Sequence, residues 1–125
     1  MLFTREVDYA IRTLHSLKSG EKYSVKMICT NEDIPEAFTY KILKKLEKAN
    51  LISITRGIYG GYQLNKDLSE ITLFDIVVAV EPNFVLSSYM KEGGRRSCKF
   101  RVELHNLQDV IVERLEQTSM KEILE

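Results

Sequence analysis

The spacing of apolar residues predicts two helices at the start of the chain. Thr4 is the predicted N-cap of the first helix, and Glu6 and Asp8 fall in its first turn. Its apolar stripe consists of Val7, Ala10, Ile11, Leu14 and Leu17. A shorter second helix is predicted to begin after Ser24, with Met27, Ile28 and Cys29 on its inward side. The sequence "EDIP" breaks that helix, and Pro35 can open the next one.

The third helical pattern spans residues 35–49 and has two contrasting faces. Its apolar arc consists of Phe38, Ile42, Leu43 and Leu46. The opposite arc, small or polar at first and cationic further on, consists of Ala37, Tyr40, Lys41, Lys44 and Lys48. A helix that packs on one side and offers such a face on the other is well shaped for a DNA major groove.

A two-stranded hairpin is predicted directly after the third helix. The sequence "ANLISIT" has strand-like residues, and "RGIYGGYQL" (residues 56–64) supplies a glycine-rich turn and a second strand. Helices followed by such a hairpin make a winged helix-turn-helix, in which the hairpin is the wing. The glycines let the backbone turn sharply and lie close to a neighbouring surface. The alternative is that they only satisfy the geometry of the turn.

A fourth helix is predicted after Thr72, which forms a T-x-x-D capping signal with Asp75, and Pro82 ends it. Residues 82–97 lack clean periodicity and are interpreted as a flexible loop. A long helix follows Cys98. Its apolar stripe consists of Phe100, Leu104, Leu107, Ile111 and Leu115.

A short last helix is predicted between Ser119, its cap, and the end of the chain. The predicted fold is therefore mainly α with a small β-hairpin. Three segments are predicted: a winged helix-turn-helix domain at 1–81, the loop at 82–97, and the long and terminal helices at 98–125.

Composition limits the class of protein without naming its function. The chain has 125 residues, which suits one domain, with 44% hydrophobic and 29% charged residues. No apolar run is long enough to span a membrane, and the first residues do not resemble a signal peptide. The two cysteines, Cys29 and Cys98, cannot form a disulfide framework. These features predict a cytoplasmic location.

The net charge is zero, but the charges are unevenly placed. Residues 39–56 contain one acid, Glu47, and five bases: Lys41, Lys44, Lys45, Lys48 and Arg56. A local basic block beside the wing is expected of a surface that meets phosphates. In that interpretation Lys41 and Lys44 reach phosphates, and Arg56 enters a minor groove. The alternative is a solvated, lysine-rich helix face.

Several motifs give the chain a specific family resemblance. They are "YA" at residues 9–10, "IPEAFTYKILKKLEKANLI" at 34–52, "RGIYGGYQL" at 56–64 and "EITLFDIVVAVE" at 70–81. The C-terminal "LEQTSMKEIL" fits the same pattern. With these motifs the chain resembles the Rrf2-type bacterial winged-helix regulators, which include an iron–sulfur cluster regulator and a cysteine-metabolism repressor. The resemblance covers nearly the whole chain.

The resemblance implies a homodimeric repressor or activator that binds double-stranded DNA at an imperfect palindrome. Contacts from the third helix and the wing then fall on Ala37, Tyr40, Lys41 and Arg56. The wider set of predicted DNA contacts adds Arg5, Lys44, Gly57 and Tyr59. The long helix is expected to pair with its copy. Its predicted interface consists of Leu104, Leu107, Ile111 and Leu115.

Many proteins of this family hold an iron–sulfur cluster with three cysteines before the long helix. Only Cys98 fits that pattern here, and the two earlier positions fall near Leu86 and Glu92. Because clusters are held mainly by thiolates, we expect no cluster and no other metal. Cys98 is either an inert thiol or a redox sensor, since Arg95 and Arg96 beside it would favour the thiolate.

The sequence leaves two other classes of function to compare with a DNA-binding regulator. A winged-helix module that binds proteins but not DNA is compatible with the neutral net charge, although the intact wing argues against it. An enzyme is not expected, because no nucleophile and base are paired and the glycine turn lacks the lysine of a phosphate loop. A small molecule, a metabolic enzyme as partner, or thiol oxidation could each supply a control signal.

Overall fold

The computed structural model describes residues 3–84 and 99–125, and its first half is a helix-turn-helix followed by a hairpin. The first elements are α1 (Arg5–Ser16), α2 (Val25–Glu32), α3 (Glu36–Lys48), β1 (Ile52–Thr55) and β2 (Gly61–Leu64). After a 3₁₀ turn (Leu68–Glu70) come α4 (Leu73–Val80), α5 (Lys99–Glu116) and α6 (Met120–Leu124). The predicted fold class, mainly α with a small β-hairpin, is confirmed. None of the helices within residues 3–84 and 99–125 has the length and hydropathy of a membrane-spanning segment.

Side-chain caps start the helices where the sequence predicts them. The hydroxyls of Thr4 and Ser24 accept hydrogen bonds from backbone N–H groups in the first turns of α1 and α2. Thr72 and Asp75 form a reciprocal capping box, with distances of 3.1 Å from Asp75 N to Thr72 Oγ1 and 2.9 Å from Thr72 N to Asp75 Oδ2. Ser119 caps α6 in the same way as Ser24 caps α2. Each cap pairs a donor that the helix leaves unpaired.

The core confirms most of the predicted apolar faces but corrects two positions. Met27 is exposed, because Val25 and Ile28 occupy the buried side of the short helix α2. Phe38 is also exposed, and it meets Tyr9 edge-on with ring centroids 5.7 Å apart. The predicted place of Phe38 on the packed face of α3 is taken by Thr39, which is fully buried.

The burial of Thr39 is compatible with its polar side chain because the hydroxyl is hydrogen-bonded. Thr39 Oγ1 donates to the carbonyl oxygen of Pro35 at 2.9 Å. It also accepts from Cys29 Sγ at 3.3 Å, which joins α2 to α3. A small polar residue with satisfied hydrogen bonds costs little to bury, so α3 can pack closely against α2 at this point.

The hairpin is held against the helical core by a third extended segment. β1 and β2 are antiparallel, and Ile54 pairs with Tyr62 in their register. Tyr23, in the loop before α2, exchanges two backbone hydrogen bonds with Tyr62 at 2.9 and 2.8 Å. A side chain at Gly61 would lie 3.0 Å from the Tyr23 carbonyl oxygen, so glycine permits this close approach.

The C-terminal helices pack into the same core as the helix-turn-helix. Leu115 of α5 and Met120 at the start of α6 are both buried in that core. Backbone hydrogen bonds tie this region to the start of α4, from Leu73 N to Thr118 O and from Met120 N to Ile71 O. The predicted segments 1–81 and 98–125 therefore share one core. Most of the predicted flexible loop, and Cys98 after it, lie outside the described residues.

We expect Gly60→Ala to distort the tip of the wing and to lower the free energy of unfolding by about 1–3 kcal/mol. The added Cβ would lie 2.0 Å from the backbone oxygen of Thr55, so the turn itself would have to move. Gly20→Ala is the matched control, because its Cβ would meet nothing within 4 Å and only its φ of +84° is unfavourable. Chemical denaturation measures both variants. If both variants lose the same free energy of unfolding, the turn accommodates the new side chain at position 60 without the expected distortion.

Candidate nucleic-acid interface

The outward face of α3 has the composition that the sequence predicts. Burial of Ile42, Leu43 and Leu46 sets the rotation of the helix about its axis. The opposite side is then exposed to solvent, and it consists of Ala37, Tyr40, Lys41, Lys44 and Lys48. The face therefore combines a small residue, an aromatic hydroxyl and three ammonium groups.

An open cleft of about 460 Å³ lies between this face and the hairpin. Its walls are formed by Tyr40, Lys41, Lys44, Glu47, Ile54, Arg56 and Tyr62. The structure thus brings the predicted residues of the third helix together with the cation at the base of the wing. Had Tyr40, Lys41 and Arg56 lain on separate surfaces, a common nucleic-acid interface would have been excluded. That these side chains contact DNA stays a prediction.

Tyr62 and Glu47 belong to this cleft but were missed in the sequence analysis. Burial raises the pKa of the Tyr62 phenol, and the nearby Glu47 and Tyr40 raise it further. The phenol lines the cleft as a hydrogen-bonding group. The alternation of the hairpin strands was the signal for Tyr62. Tyr62 lies opposite Ile54, and residues directly opposite each other in an antiparallel pair share one face of the sheet, which here lines the cleft.

The tip of the wing exposes two large side chains. Ile58 is 95% exposed and Tyr59 is 90% exposed, and Gly57 precedes them at a positive φ of 108°. Tyr59 and Gly57 were predicted to contact DNA, whereas Ile58 was missed. Ile58 lies beside Tyr59 at the tip of the wing, so it belongs to the same exposed surface.

Lys45 differs from the other bases of the block because it points into the protein. Its Nζ donates to Glu6 Oε2 at 2.6 Å and to the carbonyl oxygen of Val80 at 3.1 Å. Lys41 Nζ reaches the other oxygen of the same carboxylate, Glu6 Oε1, at 2.9 Å. The five bases of the block are therefore not equivalent. Lys44, Lys48 and Arg56 have no carboxylate within ion-pair distance in the described part of the chain.

The carboxylate of Glu6 is held in its charged form by this contact. Hydrogen bonds from Lys45 and then from Lys41 lower the pKa of Glu6, and they outweigh the burial that opposes them. The same ion pair raises the pKa of Lys41. Glu6 therefore joins the N-terminal turn of α1 to the middle of α3.

Arg5 lies outside the cleft between α3 and the hairpin. It is exposed and lines a shallow groove with Thr4, Glu6, Phe38 and Glu81. Because Glu6 is also bonded to Lys41, this groove adjoins the exposed face of α3. Arg5 is thus a neighbour of the candidate interface at the N-terminal end of α1.

The predicted dimer interface on α5 is only partly exposed. Leu104 and Leu115 are buried by their own chain and Ile111 is partly buried against the core, so that these three residues face a partner stays a prediction. Leu107 is exposed. Phe100 and Val110 are also exposed, and at about 100° per residue they lie close to Leu107 around the helix. The apolar residues of α5 therefore cover more than one face of the helix. One side packs against its own chain, and the other side is exposed.

The described residues do not fit a metal cluster. In residues 3–84 and 99–125, no group of three or more His, Cys, Asp or Glu side chains is arranged to hold a metal ion. Cys29 donates its thiol hydrogen to Thr39 and is partly covered by the core. Cys98 lies outside the described residues, so its role as a redox sensor stays a prediction.

Comparison with known proteins identifies one family and one fold. Residues 3–125 match the sequence pattern of the Rrf2 family, described as "Iron-dependent Transcriptional regulator". Protein aau3 of Rhizobium meliloti (strain 1021) is 37% identical over 95 residues. That match covers 74% of this chain and 62% of aau3, so the chain spans less than two thirds of this relative's length.

Two solved structures share the fold over nearly the whole chain. CymR (YrzC), the global cysteine regulator of B. subtilis, superposes with a TM-score of 0.81 at 22% identity, covering 99% of this chain and 96% of CymR. IscR of T. potens superposes with a TM-score of 0.79 at 19% identity, covering 97% of this chain and 84% of IscR. At these identities the likeness establishes the winged-helix fold.

We expect Glu6→Gln to lower the free energy of unfolding by about 1 kcal/mol at pH 7, because Lys45 loses the charge that it is bonded to. Since folding lowers the pKa of Glu6, its stabilising effect is present above its ordinary value of 4.5 and is lost as the pH falls through the folded value. The difference between wild type and variant should therefore shrink below pH 4.5. Urea unfolding at a series of pH values measures it.

The control for this prediction is Asp8→Asn, which removes a carboxylate from the same helix. Asp8 forms an exposed ion pair with Arg12 at 3.3 Å, so its loss should cost about 0.5 kcal/mol or less. A Glu6→Gln variant no less stable than Asp8→Asn would contradict a structural role for the Glu6 contact.

Proposed function

The chain belongs to the Rrf2 family of transcriptional regulators, and we propose that it binds a palindromic promoter site as a homodimer. Proteins of this family are transcriptional regulators and not enzymes, in agreement with the absence of a catalytic motif from the sequence. In this proposal α3 is the recognition helix and the hairpin is the wing. The observation that carries it is the common cleft formed by the exposed face of α3 and the base of the wing.

The shape of the interface supports binding to duplex DNA. An α-helix with one exposed face fits a major groove, where Ala37 and Tyr40 would approach base edges and Lys44 would meet phosphates. The wing projects beside it, so Arg56 and Tyr59 would reach the neighbouring minor groove. Ile58 would lose its exposure to water there, as apolar side chains do in minor-groove complexes.

The charges support local rather than indiscriminate attraction to DNA. The chain has no net charge, yet Lys44, Lys48 and Arg56 have no ion-pair partner in the described residues. Such cations release counterions from DNA, which makes binding dependent on salt. A protein-binding module without DNA affinity is not favoured, because it gives no reason for unpaired cations on both α3 and the wing.

The exposed side of α5 supports the dimer. Phe100, Leu107 and Val110 are all about half exposed or more, on a helix whose other side packs against its own chain. We propose that these residues pair with a second copy. Two copies related by a two-fold axis would place two recognition helices on two half-sites. A regulator of this type would act in the cytoplasm and would repress by occupying the promoter.

We expect Arg56→Ala to weaken binding to a palindromic duplex by about 1–3 kcal/mol, because the complex loses a cation from the minor groove. Arg12→Ala is the matched control, since it removes one exposed arginine from a site outside the cleft. Fluorescence anisotropy over a range of salt concentrations measures both. If Arg56→Ala and Arg12→Ala bind equally well, the wing is not a DNA contact.

We expect Leu107→Asp to shift the protein from dimer to monomer, because a carboxylate would be buried in an apolar interface. Met27→Asp is the control, since Met27 has a similar exposure on α2, away from α5. Sedimentation velocity at micromolar concentration gives the oligomeric state. A variant that stays dimeric while folded would place the interface elsewhere.

A further inference from the structure

Two lysines share the carboxylate of Glu6, but they are held very differently. Lys45 has a second partner in the Val80 carbonyl oxygen, and its side chain is 32% exposed. Lys41 has a side chain that is 57% exposed, and Glu6 is its ion-pair partner. The distances from the two Nζ atoms to the carboxylate are 2.6 Å for Lys45 and 2.9 Å for Lys41. Lys45 is therefore the structural partner of Glu6, whereas Lys41 can break its ion pair with Glu6 more easily.

Lys41 also lines the cleft in which DNA is proposed to lie. It stands there beside Tyr40, Lys44 and Arg56. With DNA bound in the cleft, this ammonium group would have two anions within its reach, the carboxylate of its own chain and a DNA phosphate. A phosphate contact made by Lys41 must replace the bond to Glu6 or compete with it.

We infer, given the proposed function, that Glu6 is an affinity-setting residue that competes with DNA phosphate for Lys41. In the free protein Lys41 is bound to Glu6. When DNA binds, Lys41 transfers to a phosphate, and Glu6 keeps its bond to Lys45. The Glu6 carboxylate is therefore never left without a cation, so the free-energy cost of transferring Lys41 to a phosphate is small.

The arrangement has a consequence for affinity. Each binding event must break one internal ion pair, so wild-type protein binds DNA less tightly than a protein with an unpaired Lys41. Glu81 adds a weaker attraction on Lys41 from the end of α4, but it makes no ion pair with Lys41, and its carboxylate accepts from the Thr4 hydroxyl at 3.3 Å. Glu6 is therefore the carboxylate whose removal should change the behaviour of Lys41.

The test is a double-mutant cycle on DNA binding with Glu6→Gln, Lys41→Met and the two combined. The probe is a duplex enriched by the wild-type protein from random sequence, with a scrambled duplex of equal length beside it. Glu6→Gln should tighten binding on the order of two- to fivefold, the range expected for an exposed ion pair. Lys41→Met should weaken binding, and the combined variant should bind like Lys41→Met alone.

Controls separate this competition from a general effect of charge or folding. Asp8→Asn removes a negative charge from the same helix without touching Lys41, so its effect on affinity should be the same with Lys41 or Met at position 41. Glu6→Asp keeps the charge but shortens the side chain, and it should tighten binding less than Glu6→Gln. It also provides a milder variant should Glu6→Gln fold poorly.

The affinities of these variants distinguish a failure of the inference from a failure of the proposed function. If Glu6→Gln tightens binding equally with Lys41 or Met at position 41, the effect comes from the long-range repulsion between the Glu6 charge and DNA, and the inference is overturned. If Glu6→Gln and Glu6→Asp bind no tighter than wild type, while Arg56→Ala binds more weakly, the inference is wrong and the proposed function stands. If the wild-type protein enriches no duplex at all, both are overturned.

Discussion

The packing of α3 through Ile42, Leu43 and Leu46 is the constraint on which the rest of the structure depends. These side chains are fully buried, so the helix cannot rotate about its axis without exposing them. Because a helix turns about 100° per residue, the same constraint points Tyr40 and Lys44 toward solvent. The candidate interface is thus a consequence of core packing on the other side of the helix.

The position of the wing depends on a second constraint, the backbone pairing of Tyr62 with Tyr23. This pairing holds the hairpin beside the helix-turn-helix, and Gly61 allows the two backbones to approach. The anchored hairpin places Arg56 in the same cleft as the cations of α3. A free hairpin would carry the same residues but would not present them on one surface with the recognition helix.

Much of this could be predicted from the sequence, because the signals are local. Caps such as Thr4 and the Thr72–Asp75 box depend on residues three positions apart. The burial of side chains that the sequence pattern predicted wrongly depends on contacts between helices. Phe38 was expected in the core, but the buried place went to Thr39, whose hydroxyl finds partners in Pro35 and in Cys29 of another helix.

The sequence by itself determined the order of the elements, the glycine turn of the wing, the outward face of α3 and the family. Only the tertiary structure decided which cations of the basic block are free, because Glu6 lies 35 or more positions away from the two lysines that it binds. It also decided which side of α5 is exposed, since burial of Leu104 and Leu115 follows from packing within the chain. Periodicity identifies an apolar side chain, whereas the three-dimensional packing determines what covers it.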